Sequence, residues 1–513
     1  MKRFNKMLAM ALAFLLCLSV STVALAEVPT SQKTPTGEAA APNADGKYTI
    51  SVKEDDTHTY TVYQILTGTL VPGESKLGNA AWGADAKGDG KVEDFVTSIT
   101  KPGLTNAQIN DLVKAQLKDG ATGQGTISKD KSLDVAPGYY LIVDTTEADE
   151  LAKGDAYSLN IVAVFNNIEI EPKKGTTQSD KKVDDNDADK AANGSEWIDS
   201  ADYSIGDTVP YKLSATVAED YANYTKGYKL TFHDKMSAGL TFNPGTVVVK
   251  VGDTTIDSSK YEVVTAGLTD GCTFEVKFAD LKSVTEVQAG SVITVEFNAT
   301  LNEGAVIGSG GNPNTSHVTF TNNPNDNQVG ENGKTPDDTV IVFTYKTVFN
   351  KIDSNNKPLK GADFMLEKKV GEEWVNVTQL HSGDGSENPI KTIEGETKFT
   401  FAGLDAGDYR LTETTTPSGY NTIAPIEFTI TATHDILSDS PTLTALTGTD
   451  GKQFTMTPDV TKATLTSDIV NQQGSELPST GGMGTTLLYT IGGVLVAVSA
   501  VGLIARRKMS AEQ

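Results

Sequence analysis

The chain has 513 residues with 67 acidic and 43 basic side chains, a formal charge of −24. That sign argues against a nucleic-acid partner, which needs a basic face. Apolar residues make up 38% and charged residues 21%, which excludes a membrane-embedded body and a core-less disordered chain and leaves room for about three domains.

At the N-terminus Lys2, Arg3 and Lys6 precede an uncharged run from Met7 to Ala26 that closes with Ala24-Leu25-Ala26. This is the pattern of a secretory signal peptide, 1–26, with cleavage expected after Ala26. Cys17 leaves with the signal and Cys272 remains alone, so an exported chain has no internal disulfide framework to staple it. Residues 27–46, rich in Thr, Pro, Ala and Gly, read as a flexible leader. A first module spans 47–174. Tyr48, Ile50 and Val52 share a strand face, Tyr60–Leu66 continues the pattern, and Tyr139–Asp144 and Ile161–Ile170 follow. Ile109, Leu112, Val113 and Leu117 predict one minor helix over Asn106–Lys118. Pro172-Lys173-Lys174-Gly175 marks a boundary.

The second module, 175–345, has strand signals at Thr208–Val217, Tyr228–His233, Thr246–Val251, Thr273–Phe278, Ser291–Leu301 and Thr315–Thr321. The third, 346–473, has them at Asp363–Lys368, Lys398–Phe401, Asp408–Glu413, Ile426–Thr431 and Ala463–Val470. Many short strands at near-regular spacing predict an all-β chain of tandem sandwiches. Residues 474–476 form a tether, and Leu477-Pro478-Ser479-Thr480-Gly481 follows. Thr485–Ala505 carries no charge and is long enough to span a bilayer as a helix. Arg506, Arg507 and Lys508 in the tail 506–513 hold that end in the cytoplasm.

Leu-Pro-x-Thr-Gly, an apolar span and a basic tail, in that order, resemble the cell-wall sorting signal of Gram-positive surface proteins. The resemblance implies cleavage by a sortase between Thr480 and Gly481, with the Thr480 carbonyl passed to an amine. The third module contains Lys351-Ile-Asp, Pro358-Leu-Lys-Gly-Ala-Asp-Phe-Met-Leu, Gly407-Asp-Tyr-Arg-Leu-Thr-Glu413, Pro417-Ser-Gly-Tyr420 and Ile469-Val-Asn471. It resembles the collagen-adhesin B-type immunoglobulin-like domain, which forms an internal Lys–Asn isopeptide bond with help from an acid. The motif implies Lys351 as amine, Glu413 as acid and Asn471 as amide.

The second module, with Asp180-Lys-Lys-Val183, Gly206-Asp-Thr-Val-Pro-Tyr211, Leu230-Thr-Phe-His-Asp234 and Asn314-Thr-Ser-His-Val-Thr-Phe320, resembles the middle domain of sortase-assembled backbone pilins. Two lysines compete for the amine there. Alternation puts Lys181 on the face of Val183 and Lys182 on the other, so Lys181 is preferred. Asn314 shares a face with Ser316, Val318 and Phe320, with Asn312 in reserve, and Asp234 is the candidate acid. Ile161–Lys173 is similar to the pilin motif that ends the first domain of such pilins, although Glu171 stands where Tyr is common. That implies Lys173 as acceptor of an incoming Thr480 carbonyl, with Lys174 next. In the first module Lys53, Asp144, Asn160, Asn166 and Asn167 form no recognisable triad, and Lys53 reads as an ordinary exposed lysine.

The chemistry requires burial. Desolvation lowers a lysine pKa and raises that of a carboxylic acid, so a neutral amine can sit beside a neutral acid. The amine can then attack the asparagine carbonyl carbon, and enforced proximity supplies much of the rate. Other signals are weaker. Asp185, Asp187, Asp189 and Glu196 have calcium-loop spacing, but Lys190 replaces the turn glycine, and the stretch reads as a solvated acidic insertion. The five His show no zinc-ligand spacing, and His233 reads as lying on an outer strand face. No cofactor, metal or clustered catalytic constellation is expected. The resemblance as a whole implies a non-enzymatic backbone pilin subunit. Its expected partners are a sortase, further copies of the pilin, peptidoglycan and host extracellular matrix. A wall-anchored adhesin or accessory pilin is the alternative.

Overall fold

Alternation of inward and outward side chains runs through the strands of this computed structural model and decides which face of each sheet becomes core. In Thr208–Thr216, for example, Val209, Tyr211, Leu213 and Ala215 are all buried and the residues between them are not. The structure describes residues 42–71, 77–104, 106–170, 176–185, 197–325, 330, 332–377, 397–450 and 456–474. The signal peptide with Ala26, the lysines Lys173 and Lys174, the motif Leu477–Gly481, the span 485–505 and the tail lie outside the described residues, as do Asp187, Asp189 and Glu196. No helix among the described residues is long and apolar enough to cross a membrane.

The first module holds a sheet in the order Leu77–Trp82, Tyr60–Leu70, Gly138–Asp144, Leu159–Val164, with Gly125–Ile127 also pairing Tyr60–Leu70. A second sheet joins Leu133–Val135, Tyr48–Val52 and Ile168–Ile170. The strand expected over Ile161–Ile170 is therefore two. The chain leaves one sheet after Val164 and enters the other at Ile168, where it lies parallel to Tyr48–Val52. The expectation of one helix also needs correcting. Asn106–Ala115 is helical, and so is Val92–Ile99. Val92, Phe95, Val96 and Ile99 are buried from the latter, a spacing of i, i+3, i+4, i+7. At eight residues the segment is too short for propensity to hold it, and docking of that stripe does.

The second module is a two-sheet sandwich. One sheet runs Trp197–Ile198, Gln178–Asp184, Thr208–Thr216, Val292–Leu301, Leu240–Val251, Thr254–Thr255. The facing sheet runs Ser200–Asp202, Asp338–Phe343, Asn312–Phe320, Leu230–Met236, Phe274–Phe278, Glu262–Val264, with Gly333–Lys334 beside Asn312–Phe320. Phe232, Phe274, Phe297 and Phe320 fill the space between them. In the third module Lys398–Leu404, Tyr345–Asp353, Thr464–Asn471 and Thr457–Asp459 form one sheet. Glu373–Asn376, Asp363–Val370, Gly407–Thr415, Ile426–His434 and Leu443–Asp450 form the other.

Successive modules are hydrogen-bonded to each other. Gly154 N–H donates to Lys334 O at 2.7 Å and Tyr157 N–H to Asn322 O at 2.7 Å, and Ala156 packs into the second core. Between the second and third modules Asp199 N–H donates to Ile436 O at 2.9 Å and Ile205 N–H to Gly403 O at 3.0 Å. The Tyr345 hydroxyl donates to Asp202 Oδ2 at 2.6 Å.

Candidate functional site

Two buried constellations of lysine, carboxyl and asparagine lie in the second and third cores. In the second module Lys181, Asp234 and Asn314 are all fully buried. Lys181 comes from the strand Gln178–Asp184 in one sheet, and Asp234 and Asn314 come from neighbouring strands of the facing sheet. The lysine Nζ donates to Asp234 Oδ2. Its side chain crosses the sandwich beside two aromatic rings, with Nζ 5.4 Å from the Tyr211 centroid and 5.6 Å from that of Phe297. The rings offset part of the cost of burying an ammonium, but desolvation still dominates. Burial lowers the Lys181 pKa and raises that of Asp234, and each partner opposes the other's shift. Both shifts favour the neutral amine beside the neutral acid.

Asn314 sits diagonally from Asp234 across the pairing of their strands, in which Asp234 faces Ser316 and Met236 faces Asn314. Neither its Oδ1 nor its Nδ2 finds a hydrogen-bond partner among the described residues, and Asp234 Oδ1 is likewise unmatched. Buried polar atoms without partners are rare and costly, and Asn314 also stands close enough to the Asp234 carboxyl to oppose its upward shift. The two alternatives are engaged elsewhere. Asn312 is just as buried, but its Nδ2 donates to Val306 O and Val342 O, at 3.2 and 3.1 Å, and its Oδ1 accepts from Val306 N–H at 2.8 Å. Lys182 turns to the other face and pairs with Asp180 Oδ1 at 3.0 Å and Asp199 Oδ1 at 2.5 Å.

The third module uses the same residue types in another arrangement. Lys351 and Asn471 lie on adjacent parallel strands of one sheet, with Lys351 opposite Ile469 and Asp353 opposite Asn471. Glu413 reaches them from the facing sheet. All three are buried. Asn471 Nδ2 donates to both Glu413 oxygens, at 2.9 and 3.1 Å, and to Asn421 O at 3.1 Å. Asn471 Oδ1 has no partner among the described residues. Lys351 Nζ donates to the carbonyls of Ile352, at 3.1 Å, and Ile469, at 3.0 Å. Burial pushes the Lys351 pKa down to about 8, against the pull of Glu413 and Asp353. Sequence reasoning missed the residues that aim Glu413: Ile423 N–H donates to Oε2 at 3.0 Å and the Thr416 hydroxyl at 3.3 Å. They lie in an irregular stretch around Pro417-Ser-Gly-Tyr420, where no periodicity announces a role.

The first module has a different polar centre. Asp144 is buried but already saturated: His58 Nδ1 lies 2.7 Å from Oδ2, the Thr146 hydroxyl donates to Oδ1 at 2.7 Å, and Ser158 N–H donates to Oδ2 at 3.2 Å. Lys53 is half-buried rather than exposed. Asn160 is buried with Nδ2 3.5 Å from Ser158 Oγ, Asn167 Oδ1 accepts from Thr49 N–H at 2.9 Å, and Asn166 Oδ1 accepts from Asn167 N–H at 2.8 Å. The solvated reading of the acidic insertion fails at Asp185, which is buried with its carboxylate close to those of Asp202 and to His434.

The fold is a row of tandem β-sandwiches, two of which bury a lysine, an acid and an asparagine together. Comparison with known proteins agrees. Residues 205–324 match the Gram-positive pilin backbone subunit 2, Cna-B-like domain. Residues 346–440 match the SpaA prealbumin-like fold domain, and 469–510 match the LPXTG cell wall anchor motif. The chain is 25% identical over 381 residues to the trypsin-resistant surface T6 protein of Streptococcus pyogenes serotype M6, a match covering 60% of this chain and 65% of that protein. It therefore spans just under two-thirds of that relative's length. In fold it resembles the solved T6 backbone pilin of the same serotype, with a TM-score of 0.51 at 18% identity over 84% of this chain and 98% of that one. In chain order, then, a pilin-backbone domain, a prealbumin-like domain and a wall-anchor motif are matched over 205–324, 346–440 and 469–510.

Proposed function

We propose that this chain is the backbone subunit of a covalently polymerised surface pilus. A sortase cleaves between Thr480 and Gly481 and passes the Thr480 carbonyl to Nζ of Lys173 in the next copy. A head-to-tail joint made from two different surfaces does not close on itself, so it propagates as a filament. The last Thr480 goes to a peptidoglycan amine, which leaves the fibre rooted in the wall, and the exposed shaft meets host extracellular matrix.

Each of the two constellations then closes once. The neutral lysine Nζ attacks the asparagine Cγ, the acid carries a proton to the departing Nδ2, and ammonia leaves. An amide remains between Lys181 and Asn314, and another between Lys351 and Asn471. The reading rests above all on the buried, unmatched amide of Asn314 beside a lysine and a carboxyl whose shifts both favour the neutral forms. An exported chain whose sole remaining cysteine cannot pair internally gains from such staples what disulfides supply elsewhere.

Immunoblots of wall extracts boiled in denaturant test the polymer. The expected result is a ladder that Lys173→Ala collapses to wall-attached monomer. Deletion of Leu477–Gly481 should lose both ladder and attachment. A ladder undiminished by Lys173→Ala moves the acceptor, first to Lys174. Intact-mass analysis tests the staples: the chain should lack two ammonias, one of which Asp234→Ala restores.

A further inference from the structure

The outer face of the second module carries a group of side chains that neither the staples nor the polymer uses. His233 lies on the strand Leu230–Met236, opposite Glu275 on one neighbouring strand and His317 on the other. Beyond Val264 the chain returns across this face and brings Asp270 and Cys272 to His233. Gly271 between them has a φ of +78°, a left-handed turn that points both flanking side chains the same way. Asp270 Oδ1 accepts from Cys272 N–H at 3.0 Å, and Thr273 N–H donates to Asp234 O at 2.7 Å, which pins the end of the loop to the strand.

We propose that His233, Asp270 and Cys272 form a binding site for a single zinc-like divalent transition-metal ion. One ligand atom from each lies within 4.8 Å of the other two, a spacing that a tetrahedral ion with bonds of about 2.0–2.3 Å closes with small side-chain rotations. The donors are an imidazole nitrogen, a carboxylate oxygen and a thiol sulfur. That mixture suits zinc and works against calcium or magnesium, which take six or more oxygens. His233 Nε2 stands 2.9 Å from the Thr319 hydroxyl, which orients the ring so that Nδ1 faces Asp270 at 2.8 Å. The neutral imidazole, one carboxylate and one thiolate together carry two negative charges, matching the ion. Glu275 Oε1, 3.2 Å from the same Nδ1, or a water supplies the fourth position. Binding releases the Cys272 thiol proton to solvent, while His233 binds through Nδ1 as the neutral tautomer with its proton on Nε2, facing the Thr319 hydroxyl, with no change of oxidation state. The ion would tie the loop to the strand Leu230–Met236, and through Glu275 to Phe274–Phe278 as well, on the side of the sandwich facing away from Asp234.

Cobalt titration of the reduced, metal-free full chain tests this, with no histidine tag and in a Cys17→Ser background that leaves Cys272 as the sole thiol. The expected result is one equivalent bound, with a thiolate-to-cobalt band in the near ultraviolet that zinc abolishes by competition. Cys272→Ser should remove the band and weaken zinc binding by at least ~10-fold while the fold, followed by circular dichroism, stays intact. His434→Ala, in the separate buried group with Asp185 and Asp202, should change neither. Absence of the band in the parent chain, zinc binding that survives Cys272→Ser, or loss of binding in His434→Ala would each overturn the assignment.

Discussion

At the scale of single residues, two buried lysines meet their carboxyls differently. Lys181 touches its acid directly, whereas Lys351 rests on two backbone carbonyls while Glu413 grips the amide nitrogen that must leave. In the reaction proposed for the third module the acid would thus already stand at the leaving group. An Asn471→Ala chain cannot close its bond and leaves Lys351 titratable. Its folded pKa of about 8 lies below the unfolded value of about 10.4. The folded state therefore favours the neutral amine, and stability should rise with pH between those two values. Thermal unfolding of the third module between pH 7 and 10.5 should show this rise in Asn471→Ala and not in the parent chain; a flat profile in the variant would mean that Lys351 does not titrate in this range. His58 has the opposite sign. Burial lowers its pKa, but Asp144, Asp56 and Asp155 together outweigh burial and leave it raised. The stability it supplies is complete below pH ~6.5 and is lost as pH climbs through its raised pKa. Protease susceptibility of the first module should increase with pH above neutrality, and His58→Gln should remove that dependence.

At the scale of elements, the two proposed staples would do different work. A Lys181–Asn314 bond joins the two sheets of a sandwich, while a Lys351–Asn471 bond joins two strands already paired within one sheet. The first prevents the sheets from separating, and the second prevents the opening and closing strands of the module from sliding or peeling apart. The joints between modules rest on backbone hydrogen bonds, side-chain contacts such as Tyr345 to Asp202, and a tight glycine contact. Gly403 has a φ of +82°, and a Cβ there would stand 2.5 Å from Ile205 Cδ1. Gly403→Ala should therefore cost about 1–3 kcal/mol, chiefly by pushing Ile205 away and breaking its hydrogen bond to residue 403. Limited proteolysis should then cut between the second and third modules while both staples, read by mass, stay formed. An unchanged digestion pattern would show that the joint does not depend on this contact.

At the scale of the whole molecule, the proposed staples would follow the path of load. In a polymer linked through Lys173 and Thr480, tension enters after the first module and leaves after the third. The first module then hangs beside that path. Its Asp144 is held instead by His58, Thr146 and Ser158. In the third module nearly all of the chain lies between Lys351 and Asn471 and is shielded from extension. Glu413→Ala should restore one ammonia, lower the melting temperature of that module by on the order of 10 °C, and release residues 352–470 under force. Single-molecule pulling should then show an added contour length on the order of 40 nm at roughly 3.4 Å per residue. No added extension would mean that the third module is not clamped by this bond.

Strand spacing and alternation by themselves determined the all-β architecture, because a period-two pattern assigns each side chain to a face without reference to its partners, whereas the candidate residues of the two constellations came from the resemblance of their motifs to known domains. Alternation also carried the choice of Lys181 over Lys182. It did not carry the choice of Asn314 over Asn312, which share a face. That was decided by the backbone of Val306 and Val342, which satisfies one amide and leaves the other bare. The short helix Val92–Ile99 was legible in its buried stripe but too brief to stand out. The break of one expected strand into Leu159–Val164 and Ile168–Ile170 depended on which sheet had an edge free to receive it. The grouping of His233 with Asp270 and Cys272, and of Asp185 with Asp202 and His434, belongs to tertiary structure alone. Their members are separated along the chain by distances that follow no period, and only sheet register and the return of a loop bring them together.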